Sequence, residues 1–221
     1  MAQIAVFDIV GPIMVGPSSS HTAGAVRLGR AGRVILGEPV AKADMYLHGS
    51  FAATYWGHRT DIALLAGLLD MAMDDPAIPD AKDLAAQVGM EYHFHREDLG
   101  DVHPNSVRLK ISGQHNFADM IGASIGGGRI VVYRLNGFPI SYDGSYWTLI
   151  SRHRDEPGVI ADITRVLGEM RINIGFLEVG RRQRGSDAML VAQTDSALTE
   201  DIIAKVSRVR GVFDARGLPK F

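Results

Sequence analysis

The residues best equipped for chemistry lie in short, separated stretches. The densest is Gly16-Pro17-Ser18-Ser19-Ser20-His21-Thr22, which runs straight into a segment of helical spacing. The first backbone N–H groups of a helix have no partner inside it, and with the helix dipole they favour an anion. Three serine hydroxyls, a threonine and a histidine add donors, so a carboxylate or phosphate fits there without a lysine. Capping alone needs one Ser or Thr; this run exceeds that need.

Further histidines stand among small or polar neighbours: His48 in Leu47-His48-Gly49-Ser50, His58 in Gly57-His58-Arg59-Thr60-Asp61, and His103 in His103-Pro104-Asn105. A histidine exchanges a proton near neutral pH. Asn105 can donate to a carboxylate or accept from an ammonium. No pair of histidines has the i, i+4 spacing of a helical metal site. His93 and His95 are expected on opposite sides of a strand and at the surface. Gly126-Gly127-Gly128 lets backbone approach backbone or ligand closely. No helix signal follows it, so it is no dinucleotide fingerprint; a tight turn between strands serves equally well.

The elements that must position these groups follow from hydrophobic periodicity. Thr22 to Leu36 has helical spacing, and its Gly24, Gly29 and Gly32 imply close packing against another element. Thr60 to Met73 is a strongly apolar helix candidate, and Asp80 to Val88 a weaker one. Strand candidates run from Ala43 to His48, Met90 to Phe94, Ser106 to Ile111, Phe117 to Ser124 and Ile130 to Leu135. The character changes near residue 145, after the turn-like Leu135-Asn136-Gly137-Phe138-Pro139 and the break at Asp143-Gly144-Ser145. Beyond it come Trp147 to Ser151 (strand), Val159 to Met170 (helix), Asn173 to Val179 and Ala188 to Thr194 (strands), Leu198 to Val206 (helix, with Thr199 as N-cap) and Val212 to Arg216 (strand). That order is βαββαβ, the ferredoxin-like arrangement. The chain is therefore α/β (α+β), with domains expected over 1–144 and 145–221.

Composition narrows the possible functions. With 23 basic and 25 acidic residues the net charge is −2, which argues against nucleic acid or an anionic membrane as partner. There is no cysteine, so neither a disulfide nor thiolate ligation of an iron–sulfur cluster by this chain is possible. No apolar run spans a bilayer and the start lacks a secretory pattern, so a cytoplasmic protein is expected. The cluster Arg181-Arg182-Gln183-Arg184 reads as a solvated turn, or as a face toward a partner.

In order along the chain, Phe7-Asp8-Ile9-Val10-Gly11-Pro12, Val15 to Gly24, His48-Gly49-Ser50-Phe51-Ala52, Gly57-His58 with Thr60-Asp61, His103-Pro104-Asn105 and Ser124-Ile125-Gly126-Gly127-Gly128 resemble the beta chain of bacterial iron–sulfur L-serine dehydratase. One departure is visible: Arg59 stands where the family pattern has glycine. The C-terminal half resembles an ACT domain, through Asp155-Glu156-Pro157-Gly158-Val159-Ile160 and Arg171-Ile172-Asn173-Ile174. The N-terminal half is also similar to the substrate-sensing domain of some phosphoglycerate dehydrogenases.

The resemblance implies conversion of L-serine to pyruvate and ammonia. It implies a [4Fe–4S] cluster on the cysteines of an alpha chain, where one iron acts as Lewis acid on the serine hydroxyl. In this chain it assigns the substrate carboxylate to Ser18, Ser19, Ser20 and Thr22, and substrate orientation to His21 and Asn105. Proton transfer falls to His58, with His103 second. His153, Asp155 and Asn173 match the effector positions of serine-regulated ACT domains, which often pair side by side. The competing expectations are a free-standing amino-acid sensor, a regulatory piece of a phosphoglycerate dehydrogenase (which the missing GxGxxG unit disfavours) and a metal hydrolase using His21, His58 and His103.

Overall fold

The computed structural model describes residues 13–221, so the block Phe7 to Pro12 lies outside the described residues. The chain forms two compact units, the first ending at Val132 and the second running Tyr133–Phe221.

In the first unit the serine run opens a single π-turn, Ser19–Ala23, that continues into helix α1, Gly24–Leu36. The helix buries Ala25, Leu28, Ala31 and Ile35. It closes at Gly37, whose φ of 78° supplies the left-handed cap and whose N–H donates to the Arg33 carbonyl. Helix α2 is Gly49–His58, α3 is Thr60–Leu68 and the short α4 is Ala81–Gln87. The glycines of α1 are there for contact: a Cβ at Gly29 would stand 2.3 Å from the Leu64 carbonyl, and one at Gly67 would stand 2.0 Å from that of Val26. Two helix backbones therefore touch.

The strands are β1 (Lys42–Leu47), β2 (Glu91–Arg96), β3 (Ser106–Ser112), β4 (Phe117–Gly126), β5 (Arg129–Leu135) and β6 (Phe138–Tyr142), in the sheet order β2-β1-β3-β4-β5-β6. Strand β1 is parallel to β2 and antiparallel to β3, and β3 is antiparallel to β4. The glycine run closes the β4–β5 turn, with Gly126, Gly127 and Gly128 all at positive φ.

Three expectations change. Helix α2 had no sequence signal, because among its side chains only Phe51 is buried and no stripe marks its inner face. The helix expected to reach Met73 stops at Leu68, and Asp70 takes a φ of 66°. His93 and His95 share one face of β2, their rings 6.4 Å apart, because side chains two residues apart along a strand point the same way.

In the second unit, β7 (Trp147–Arg154), α5 (Val159–Glu169), β8 (Ile174–Arg181), β9 (Asp187–Thr194), α6 (Glu200–Ser207) and β10 (Val212–Leu218) realise the βαββαβ order. Their antiparallel sheet runs β10-β7-β9-β8. Leu149, Leu190 and Ala192 meet Val159, Ile163, Leu167, Ile202 and Val206 in one core. Thr199 caps α6, its hydroxyl accepting from the Ile202 N–H. Gly180 of β8 lies against Pro139 of β6, where a Cβ would stand 2.1 Å from the Pro139 carbonyl.

Candidate functional site

The serine run is organised around Ser18 and His21. The Ser18 carbonyl accepts from the N–H groups of Thr22 (2.9 Å) and Ala23 (3.2 Å), and its hydroxyl accepts from the His21 N–H (3.1 Å). The N–H groups of Ser19 and Ser20 lie ahead of the first bonded turn, so the turn gives them no acceptor. They are the donors that an anion at this end would use, with α1 behind them supplying the favourable dipole. A π-turn in place of an α-turn is uncommon and frequent at functional sites.

Both ends of helix α2 meet this turn, and a third segment backs the start of α2. The Ser50 hydroxyl, in the first turn of α2, lies 3.0 Å from His21 Nε2. The Ser20 hydroxyl lies 3.0 Å from His21 Nδ1, so both ring nitrogens are engaged. The His58 ring, at the last residue of α2, stands 4.8 Å from the His21 ring, and the Thr22 hydroxyl donates to the His58 carbonyl at 3.2 Å. The Phe51 ring stands edge-on to that of His21 at 5.4 Å. The loop His103 to Asn105 arrives through backbone: the Ser50 N–H donates to the Pro104 carbonyl at 2.8 Å, and the Ser124 N–H to the Asn105 carbonyl at 3.0 Å. Gly49, at a φ of 53°, permits that approach, since its Cβ would sit 2.7 Å from the Pro104 carbonyl.

Burial and the charge of His58, in that order, hold the proton affinity of His21 below its ordinary value. A positive charge on one ring at this separation disfavours one on the other, which is the electrostatic part of the lowering at His21. The remaining histidines are less central. His103 is exposed, and its Nδ1 accepts from the Asn105 N–H at 3.1 Å. His48 points away to hold another loop, its Nδ1 accepting from the Leu99 N–H at 3.1 Å.

The sequence motifs contain Ser50, Phe51 and Ser124 but give them no roles. Ser124 is fully buried with no hydroxyl partner among the described residues, and a Cβ at Gly24 would stand 2.0 Å from its Oγ. Arg59 joins α2 to α3 in the left-handed conformation, φ 56° and ψ 33°. A glycine there is explained by the backbone alone; arginine bears the strain of its Cβ.

The three effector candidates in the second unit do not meet within one chain. His153 pairs with Ala188 at one end of the sheet, whereas Asn173 precedes Ile174, which pairs with Thr194 at the other. Strand β7 separates the two levels by roughly 20 Å at ordinary strand rise. His153 is buried, its Nδ1 2.8 Å from the Arg154 carbonyl and its Nε2 without partner among the described residues. Asp155 accepts from the Gly185 N–H (3.1 Å) and from Arg181 (2.9 Å), and these hold its carboxyl below the usual carboxylate range. Asn173 donates to Asp195 at 2.6 Å. A polar cavity of about 260 Å³ adjoins Asp155, lined also by Arg154, Glu156, Ser186 and Phe213.

As for metals, the donor set does not fit a cluster. The sequence has no cysteine, and among the described residues no three His, Asp or Glu side chains stand close enough to hold an ion. No described helix is long and apolar enough to cross a membrane.

Comparison with known proteins adds an independent line. Residues 5–93 match the family model "Serine dehydratase beta chain" and residues 147–211 match "ACT domain". The chain is 39% identical over 212 residues to "Probable L-serine dehydratase, beta chain" of Bacillus subtilis, spanning 96% of each. It is 37% identical over 206 residues to "L-serine dehydratase, beta chain" of Peptoniphilus asaccharolyticus, spanning 91% of this chain and 92% of that one. A D-3-phosphoglycerate dehydrogenase of Synechocystis is 26% identical over 182 residues, which span 82% of this chain and 33% of that enzyme.

Proposed function

The chain belongs to the serine dehydratase beta-chain family and is a beta subunit of an L-serine dehydratase, a lyase; from that premise we propose that it completes a serine pocket whose iron–sulfur cluster sits in a cysteine-bearing alpha chain. The observation that carries this reading is the convergence of Ser18 to Thr22, Ser50 and His58 at one helix start, with the His103 to Asn105 loop bonded to Ser50 behind them. This chain, without cysteine, would supply none of the cluster's thiolate ligands.

Within the pocket the substrate carboxylate is received by the turn Ser18 to Thr22, through the N–H groups of Ser19 and Ser20 and the serine hydroxyls, while Thr22, bonded to the Ser18 and His58 carbonyls, holds the turn in shape. Asn105 orients the substrate, and His21, its ring nitrogens engaged by Ser20 and Ser50, does so by fixing the cradle around it. His58 receives the α-proton, since its ring stands beside the cradle; His103, exposed and turned to its own loop, is the second candidate. The product is pyruvate with ammonia. For function the chain divides into a catalytic domain over 1–144 and an ACT domain over 145–221, and it works in the cytoplasm. The ACT domain binds L-serine between two copies, so that His153 and Asp155 of one copy join Asn173 of the other. Their separation within one chain supports that arrangement over a site inside a single domain.

The test is anaerobic co-purification with a cysteine-bearing alpha chain, followed by a pyruvate assay on L-serine. Activity that needs both chains is expected. A complex without activity, or no complex, would overturn the shared pocket and favour a free-standing serine sensor.

A further inference from the structure

We infer that Ser50, which no motif role covers, is the positioning residue that locks the His21 ring in place beside His58 and so sets the geometry of the proton-accepting pair. The inference rests on the reading of this pocket as the serine site, but the lock itself is a property of the chain alone.

The geometry leaves His21 little freedom. Its backbone N–H is bound by the Ser18 hydroxyl, its Nδ1 lies 3.0 Å from the Ser20 hydroxyl and its Nε2 lies 3.0 Å from the Ser50 hydroxyl. Phe51 stands edge-on to one side of the ring and His58 lies tilted against it at 41°. Ser20 belongs to the same turn as His21, whereas Ser50 is 29 residues away at the start of the helix that ends in His58. The Ser50 contact is therefore the side-chain hydrogen bond from His21 to that helix, beside the ring contacts of Phe51 and His58. Ser50 is itself fixed: its N–H is held by the Pro104 carbonyl, and its own carbonyl accepts from the Thr54 hydroxyl at 2.8 Å.

A neutral imidazole offers one donor and one acceptor, and hydroxyls on both nitrogens satisfy both. With one nitrogen donating and the other accepting, the two hydroxyls hold the neutral ring in one orientation beside His58. The lowered proton affinity of His21 points the same way. Without the Ser50 hydroxyl, Nε2 loses its partner in a half-buried site. The ring then rotates or recruits water, and its spacing from His58 is no longer fixed.

The test uses Ser50→Ala and Ser50→Thr in the full chain. Imidazole ¹⁵N NMR of the chain alone reads the His21 ring directly. Ser50→Ala is expected to shift the His21 Nε2 resonance and mix its tautomers, whereas Ser50→Thr keeps one dominant tautomer. In the complex with the alpha chain, Ser50→Ala is expected to lower kcat about tenfold with KM within about twofold, a loss of orientation and not of binding. Ser50→Thr should restore most of kcat. An unchanged His21 spectrum in Ser50→Ala overturns the inference whether or not the complex turns over serine. A shifted spectrum with full activity rejects the positioning role while leaving the hydrogen bond in place. An inactive wild-type complex with the spectral response intact counts against the pocket reading and not against the lock.

Discussion

The chain holds two sets of polar residues assigned to serine, and it treats them in opposite ways. In the first unit, residues from Ser18 to His58, with the backbone of the His103 to Asn105 loop, are drawn to one helix start by backbone bonds and by the His21 bridge. In the second unit, His153 and Asn173 sit at opposite ends of one sheet, and Asp155 and Asn173 already have partners. The first set makes a cradle from a single chain. The second is split between the two ends of its sheet, and the proposed effector site needs another copy to supply the far half. The lesson is that a residue pattern assigned to a ligand says nothing of how many chains build the site; strand register does.

Substitutions in each set test that contrast. The largest effect is expected from His58→Ala in the assembled enzyme, a fall in turnover of about 10² or more. Asn173→Ala in the same assay should leave turnover within about threefold. A His58→Ala loss below about threefold would remove His58 from proton transfer and hand the role to His103. Next comes Gly24→Ala, which drives a methyl into Ser124 and should destabilise the first unit by about 1–3 kcal/mol in denaturant titration. Unchanged stability would mean that Ser124 rotates away at no cost.

L-Serine at about ten times its Kd should then stabilise the second unit by about 1.4 kcal/mol. Amide exchange should slow at Asp155 and Asn173 together, and only at concentrations where the chain pairs. Slowing of one without the other would dissolve the two-copy site. Arg59→Gly, which relieves a left-handed arginine, should raise stability by about 0.5–1 kcal/mol, read as a higher Tm. The smallest effect concerns pH. His21 has a folded-state proton affinity below its ordinary value of 6.5, so the unfolded chain binds more protons in the interval beneath that value. Stability is therefore fully present above about pH 6.5 and declines as pH falls toward the folded value. His21→Gln should flatten that limb; an unaltered limb would show that other groups set it.

Much of this was legible in the sequence, and the exceptions are physical. The βαββαβ order and the α1 glycines were readable because alternation and helical spacing are local. Helix α2 was not, since it turns only Phe51 fully inward and leaves Trp56 exposed. The π-turn was hidden because serine and threonine serve caps, turns and helix starts alike. Ser18 to Thr22 and His58 could be named as candidates from their types. That Ser50 would bind His21 could not, because the bond depends on how Gly49 lets α2 approach Pro104, a contact that neither local spacing nor composition encodes.

The π-turn has a consequence for how such a cradle arises and disappears. The Ser18 carbonyl reaches both Thr22 and Ala23, so the turn holds one residue more than an α-turn requires. Removing a single serine from the run would let the turn relax to ordinary helix, with α1 and its glycine contacts left where they are. The cradle is in this sense a one-residue insertion on an existing helix. A deletion, in place of any substitution, should therefore yield a folded chain without the proposed anion seat.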